Sequence, residues 1–207
     1  AKMCCCGNGR IQKIIKYCMI DFKDDIEACL KVLHAGGIIL YPTDTIWGLG
    51  CDATNAGAVQ KIFDLKQRVE SKSFVVLVSD ERELMQYVAT LDLAVFDFLD
   101  QQTKPTTVIY ENVVGLADNV LAADGSVAIR ICKQDFCKTL IKRFRKPIVS
   151  TSANISNQPS PAFFKEIVPE IIHQVDYVVK YAQEAEIPAK PSSIVKWTDN
   201  EVIVIRK

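Results

Sequence analysis

Apolar residues recur at helical spacing in several stretches of the chain. From Asp21 onward they recur every three to four residues, which predicts a helix that ends at Gly36 and Gly37. A second periodic stretch follows Asn55, whose side chain can accept a hydrogen bond from the first helical turn, and it runs into Lys66. The same spacing predicts further helices at residues 80–88, 91–99, 136–144 and 163–168.

Short continuous apolar runs bounded by turn residues are typical of buried strands. They occur at residues 38–41, 74–78, 106–110, 127–131, 147–149 and 176–179. Residues 193–197 and 202–206 have the pattern of a hairpin that turns at 199–200. The alternation of helices and strands predicts an α/β (α+β) fold with a twisted mixed sheet flanked by helices. Because no linker or repeat is evident, we expect one domain at 21–207. The pattern does not decide whether the N-terminal lead at 1–20 is ordered.

Composition and charge exclude few functions. The 207 residues are 49% hydrophobic and 24% charged, which is ordinary for a globular protein. Lys plus Arg and Asp plus Glu both number 25, so the charge balance neither supports nor excludes RNA binding. No apolar run is long enough to cross a bilayer and no secretory signal is evident, so we expect a cytoplasmic protein with no membrane partner.

Eight cysteines raise the question of a metal site. Most stand singly among apolar residues, as small core residues do. Cys4, Cys5 and Cys6 are consecutive, but no second pair of Cys or His follows at zinc spacing. The pattern therefore does not favour a metal site and leaves the role of the run open.

A polar segment with two glycines follows the first predicted strand. Residues 41–50 contain threonines, a carboxylate and these glycines, and residues 43–52 are predicted as a loop at the carboxyl end of the strand. Such strand ends are where α/β sheets usually bind ligands. An ordinary turn, with Thr and Asp bonding to nearby backbone, fits the pattern equally well.

Three cations cluster near the end of the second predicted helix, at Lys66, Arg68 and Lys72. A lysine offers a point charge and an arginine a planar fork of donors, so together they suit phosphate groups. The alternative is a solvated basic face that the dipole of the helix C-terminus favours.

Residues 150–154 are rich in hydrogen-bonding groups and carry no charge, and Ser160 continues this character. They suit a neutral base, a hydroxyl or an amino-acid backbone, or else a helix N-cap at Ser152 or Asn154. Arg130 stands in an apolar strand and needs a partner, which can be a substrate carboxylate or a structural salt bridge. Arg206, at the end of the last strand, is a weaker case of the same kind.

The usual nucleotide-binding and hydrolase signatures are absent from the sequence. It has no phosphate loop of the Gly-x-x-x-x-Gly-Lys type, no Gly-x-Gly-x-x-Gly fingerprint and no Gly-x-Ser-x-Gly elbow. His34 and His173 are the two histidines, and neither lies in a segment with other candidate site residues. A histidine-based triad is therefore not expected.

Taken together, these segments resemble the YrdC-like threonylcarbamoyl-AMP synthase family, in that family's order. They are residues 41–50, Lys66 with Arg68, residues 126–130, residues 150–154 with Ser160 and Pro161, and residues 191–193. The resemblance covers residues 21–207 and corresponds to the short, single-domain form. It implies a twisted α/β sheet with a broad, positively lined concave cleft.

The resemblance also implies an activity. L-threonine, bicarbonate or CO2, and ATP with Mg²⁺ would give L-threonylcarbamoyladenylate and pyrophosphate, so the enzyme would be a nucleotidyltransferase. A separate threonylcarbamoyl-transferase complex would then modify adenosine in tRNA to N6-threonylcarbamoyladenosine. Positioning and charge neutralisation would supply the catalysis, and no general base is assigned.

The family's site residues carry over onto matching positions. The resemblance implies that ATP is bound by Lys66, Arg68, Lys72, Ser126, Ser152, Asn154, Ser160 and Arg206. It implies that threonine is bound by Thr43, Arg130, Ser150 and Ser192. Lys66 and Arg68 would do the positioning.

Some positions depart from the family's pattern, and other functions stay open. Val69 and Ser73 stand where prolines are common, and Cys132-Lys133 lacks the proline often found after the strand arginine. None of these changes removes a charged or hydroxyl group named above. The alternatives are a non-catalytic double-stranded RNA or tRNA-binding module and an enzyme that forms carbamoyl-adenylate.

Overall fold

The computed structural model describes residues 22–67, 74–185, 190–198 and 201–206. Several sequence predictions fall outside these residues. They concern the lead at 1–20 with its cysteine run, Arg68, Lys72, Val69 and Ser73.

Most helices form where the helical spacing predicts them. Their bounds are α1 Lys23–His34, α2 Ala56–Lys66, α3 Glu81–Tyr87, α4 Ala94–Asp100, α5 Asp135–Phe144 and α6 Pro169–Ile172. The apolar stripe of α1 is buried, and the Asn55 side chain accepts a hydrogen bond of 3.1 Å from Ala58 N at the start of α2. The helix predictions for these two segments are confirmed. None of the helices in the described ranges is long and apolar enough to cross a membrane.

The helix predicted at 163–168 is wrong. A single 3₁₀ turn covers Phe164–Glu166, and the α-helix starts only at Pro169. Val168 is extended (φ −65°, ψ 141°) because the ring of a proline disfavours helical backbone in the residue before it. His173 follows Ile172, the last residue of α6.

Nine strands in the described part of the chain form one sheet. Their bounds are β1 Ile39–Tyr41, β2 Gly48–Gly50, β3 Val75–Val78, β4 Thr106–Tyr110, β5 Val127–Ile131, β6 Ile148–Ser152, β7 Tyr177–Val178, β8 Ser193–Thr198 and β9 Glu201–Arg206. Their order is β7-β1-β2-β6-β3-β5-β4-β8-β9, with parallel pairing of β1 with β7, β3 with β5 and β4 with β8. The predicted mixed sheet and the pairing of the two C-terminal strands are confirmed.

The loop predicted at 43–52 contains a strand instead. β2 pairs antiparallel with both β1 and β6, so only the residues between β1 and β2 form a loop. The glycines that suggested a loop are needed for close packing: a Cβ at Gly50 would lie 2.6 Å from the Tyr41 ring and 3.0 Å from Val149 O. Similarly, β6 continues to Ser152 rather than ending at residue 149, because its hydroxyl residues pair with β2 and β3.

The register separates a core face of the sheet from a face that lines a cleft. Val76 pairs with Val149 and Ile129, and all three are buried in the apolar core. Leu84 of α3 and Leu140 of α5 belong to the same core. The alternate residues point the other way, because successive side chains in a strand face opposite sides of the sheet.

Candidate functional site

A cleft of about 320 Å³ lies on the second face of the sheet. Strands β2 to β6, β8 and β9 all contribute to its lining. The structure brings together six predicted site residues here, which are Arg130, Ser150, Ser152, Ser160, Ser192 and Arg206. They come from three strands and two loops, so the sheet register assembles residues that are distant in sequence.

Arg130 is the most buried cation of the cleft lining. Its side chain is 4% exposed, and its Nη2 lies 3.0 Å from Asp44 Oδ1 in an ion pair. Nη2 also donates a hydrogen bond of 3.2 Å to Thr45 Oγ1. The predicted alternative of a structural salt bridge is therefore realised. Arg130 Nε, however, is buried and has no hydrogen-bond partner among the described residues, so its donor capacity is not used there.

Arg206 brings a second guanidinium into the cleft from the end of β9. Its Nε and Nη2 donate hydrogen bonds of 3.1 and 2.9 Å to Ser192 O. Burial lowers the pKa of Arg206, and the positive charge of Arg130 lowers it further. Two guanidinium groups that line one cleft favour the binding of an anion there.

Ser192 is held in place from two sides. Its hydroxyl shares a hydrogen bond of 2.8 Å with Thr107 Oγ1, and its carbonyl accepts from Arg206. Thr107 is fully buried on β4, and Ser192 is 3% exposed. The Ser192 hydroxyl is thus oriented by the strand beneath it.

Ser150 and Ser152 place hydroxyls along the part of the cleft formed by β6. Gly48 of β2 pairs with Ser152, and a Cβ at Gly48 would lie 3.2 Å from Ser150 Oγ. The missing side chain at position 48 therefore leaves space next to the Ser150 hydroxyl.

Lys66 is buried rather than solvated, so the predicted alternative of a solvated basic face is wrong for this residue. It is 1% exposed, and its Nζ donates hydrogen bonds of 2.5 Å each to Ser152 O and Asn154 O. Asn154 Oδ1 lies 3.4 Å from the same ammonium. The lysine therefore links the C-terminal end of α2 to the segment that follows β6.

Asn154 organises the loop after β6. Its Nδ2 donates to Ile155 O at 3.1 Å and to Gln158 O at 2.6 Å. No helix follows in this part of the described chain until Phe164–Glu166, so the alternative of a helix cap at Ser152 or Asn154 is wrong. Asn154 lines a smaller cavity of about 190 Å³, and Ser160 lines both cavities.

Like Lys66 and Asn154, two further predicted residues, Thr43 and Ser126, lie outside the lining of the cleft. Thr43 Oγ1 donates to Ile46 O at 2.8 Å and accepts from Thr45 N at 3.1 Å, so it orders the loop between β1 and β2. Ser126 precedes β5, and its hydroxyl donates to Asp124 at 2.7 Å. Hydrogen bonds from Ser126 hold the pKa of Asp124 below its usual value.

Asp44, Thr45 and Thr107 support the cleft residues but were not assigned roles from the sequence. The one available signal was that Arg130 needed a partner, while a carboxylate stood in the polar segment at 41–50. The described residues contain no group of three or more His, Cys, Asp or Glu that could hold a metal ion. Within the described lining of the cleft there is also no carboxylate.

Comparison with known proteins identifies relatives over most of the chain. Residues 31–207 match the Sua5_yciO_yrdC family model, which is described as "Telomere recombination". A putative threonylcarbamoyl-AMP synthase of Methanocaldococcus jannaschii is 31% identical over 199 residues, which cover 96% of this chain and 93% of that protein. The threonylcarbamoyl-AMP synthase of Idiomarina loihiensis is 30% identical over 182 residues, covering 86% of this chain and 96% of the relative.

The fold is that of a solved member of the same group. P. abyssi Sua5 complexed with L-threonine superposes with a TM-score of 0.77 at 19% identity, over 87% of this chain and 53% of that one. This chain therefore spans about half the length of that protein. The predicted YrdC-like fold is confirmed.

Proposed function

The chain belongs to the Sua5/YciO/YrdC family, and from that membership we propose that it is a threonylcarbamoyl-AMP synthase. Relatives with this name match nearly their whole length. The observation that carries the proposal is the cleft itself, where Arg130 and Arg206 lie among hydroxyl and apolar side chains. This lining suits a ligand with anionic groups, hydroxyls and an apolar base.

The threonine side of the site is proposed around Arg130. The guanidinium of Arg130, which lines the cleft, can donate to a carboxylate, and Ser150 and Ser192 offer hydroxyls in the same cleft. P. abyssi Sua5, which shares the fold, was solved in complex with L-threonine. Thr43 would act through the loop it orders rather than by touching threonine.

The ATP side is proposed around Arg206, Ser152 and Ser160, which lie in the same cleft. Asn154 and Lys66 hold the segment that carries these serines. Arg68 and Lys72 are the further cations predicted for the phosphates, and Ser126 stays a prediction.

The chemistry needs little acid–base catalysis. The free amine of threonine adds to CO2, its proton passes to solvent, and the carbamate oxygen attacks the α-phosphorus of ATP. A new P–O bond forms to the carbamate as the bond between the α-phosphorus and the bridging oxygen breaks, so pyrophosphate leaves with that oxygen. The guanidinium groups stabilise charge on the reacting anions, and the fixed hydroxyls orient them.

Magnesium has no ready-made protein cage in the described lining of the cleft, which contributes hydroxyls and guanidinium groups but no carboxylate. We therefore propose that Mg²⁺ enters with the triphosphate of ATP, as it does in many nucleotide sites. The transfer to tRNA by a separate complex, and a cytoplasmic location, are kept as predictions.

The test is release of pyrophosphate from ATP with Mg²⁺ and bicarbonate, with and without L-threonine. Wild type should release pyrophosphate only with threonine, and the product should carry the mass of threonylcarbamoyl-AMP. Arg130→Ala and Lys66→Ala should both reduce the rate strongly. Absence of threonine-dependent release at every bicarbonate concentration would contradict the proposal. Salt-dependent tRNA binding without turnover would instead support the RNA-binding alternative.

A further inference from the structure

We propose that Asp44 is a positioning residue, which orients the Arg130 guanidinium so that this group can receive the threonine carboxylate. The inference rests on the proposed function. It concerns a carboxylate that neither the sequence nor the comparisons assign to the site.

The first support is the geometry around Arg130. Asp44 Oδ1 forms an ion pair with one nitrogen of the guanidinium, Nη2, at 3.0 Å without hydrogen-bond geometry, and Thr45 Oγ1 accepts a hydrogen bond from the same nitrogen at 3.2 Å. Nε is left buried without a hydrogen-bond partner in the described part of the chain. A planar guanidinium that is held at one nitrogen has its remaining donors fixed in direction.

The second support is that Asp44 is absent from the lining of the cleft. Arg130 lines the cleft, whereas Asp44 lines a separate cavity of about 260 Å³ together with Glu81 and Lys133. A ligand that occupies the cleft would therefore contact Arg130 directly, and Asp44 would act behind this contact. Asp44 can influence such a ligand only through the arginine or through its charge.

The third support is the ordered loop that presents Asp44. Thr43 Oγ1 bonds to Ile46 O and to Thr45 N across the loop, and Cys137 Sγ donates to Pro42 O at the loop's base at 3.2 Å. These hydrogen bonds order the loop that carries the Asp44 carboxylate, so the carboxylate can hold the donors of Arg130 in a fixed orientation. Preorganised donors bind an anion without the cost of ordering a flexible side chain.

The two ways in which Asp44 could act predict opposite signs. As a positioning residue it favours threonine, so its loss should raise the KM for threonine. As a mere negative charge near Arg130 it opposes the binding of a carboxylate, so neutralising it should lower that KM. Asp44→Asn separates these cases because it keeps the shape and removes the charge.

The experiment measures the KM for threonine, the KM for ATP and kcat in wild type, Asp44→Asn and Asp44→Glu. We expect both variants to raise the KM for threonine about tenfold or more, as loss of a charge-assisted contact does, with a much smaller change in the KM for ATP. Asp44→Glu keeps the charge but lengthens the side chain, so it tests placement alone. Glu81→Gln is the matched control, because Glu81 lines the same cavity and no contact between it and Arg130 is described. It should leave all three constants near wild type.

A double-mutant cycle completes the test. In an Arg130→Lys background, Asp44→Asn should have little further effect on the KM for threonine, because the residue acts through the guanidinium. Fully additive effects, or a lower KM in Asp44→Asn, would overturn the positioning role. Wild type without threonine-dependent turnover would contradict the proposed function, whereas an active enzyme with an unchanged KM in Asp44→Asn would contradict this inference alone.

Discussion

Lys66 and Arg130 are both buried cations near the cleft, but their charges are compensated differently. Lys66 donates to main-chain carbonyls at the end of β6 and in the segment after it, which are neutral acceptors. Arg130 lies against the carboxylate of Asp44 and a threonine hydroxyl. The hydrogen bonds described for Lys66 hold the end of β6 and the segment after it, whereas the Arg130–Asp44 pair is close to neutral. Arg130 therefore contributes directed donors more than net charge, and Lys66 contributes a fixed loop.

The largest effect on stability is expected for Arg130→Met. It leaves the Asp44 carboxylate, 12% exposed, without its partner, and loss of one member of a buried pair typically costs about 3–5 kcal/mol of unfolding free energy. Urea unfolding measures the loss. The double variant Arg130→Met with Asp44→Asn should recover part of it, because the uncompensated charge is gone. A cost below about 1 kcal/mol would show that the pair is effectively solvated and would remove the contrast with Lys66.

Lys66→Met should cost less, about 1–3 kcal/mol, because the described acceptors that it leaves short of a donor are neutral oxygens. The matched control is Lys61→Met on the same helix, where Nζ donates to Gly36 O at 2.8 Å from an exposed position. Its cost should be within about 0.5 kcal/mol. If the two substitutions lowered the free energy of unfolding in urea equally, burial of the Lys66 ammonium would contribute nothing to stability.

Thr45→Val should have the smallest effect of the three. It removes the neutral acceptor of Arg130 Nη2 while keeping Asp44, so we expect a loss of about 0.5–1.5 kcal/mol. Thr45→Ser retains the hydroxyl and should stay closer to wild type. Thermal and urea unfolding together measure the difference. A loss as large as that of Arg130→Met would mean that the hydroxyl, rather than the carboxylate, compensates the arginine.

Local signals predicted the elements well where the chain itself decides the conformation. The Asn55 cap and the apolar stripe of α1 are local, and both helices follow. The predictions failed where packing between distant segments decides the conformation of the chain. β2 is a strand because it pairs with β1 and β6 on either side, although its glycines indicated a loop.

The candidate site shows the same division. The apolar neighbours of Arg130 showed that it needs a partner, but they did not show which residue the partner is. Asp44 lies 86 residues earlier and contacts Arg130 only because the sheet brings the two segments together. The burial of Lys66 was missed for the same reason: its carbonyl acceptors belong to a segment 86 and 88 residues away. Ser150 and Ser152 reached the cleft because they stand at alternate positions of β6 and so share one face, whereas Ser160 and Ser192 line it from loops.

The central claim is that Arg130 receives the threonine carboxylate while Lys66 holds the segment after β6. Calorimetric titration of L-threonine into folded wild type, Arg130→Lys and Lys66→Met tests it most directly. We predict that Arg130→Lys weakens binding about tenfold or more, since a lysine cannot reproduce the fixed donors, and that Lys66→Met binds nearly as wild type does. Equal loss of affinity in both variants, or unchanged affinity in Arg130→Lys, would contradict the account.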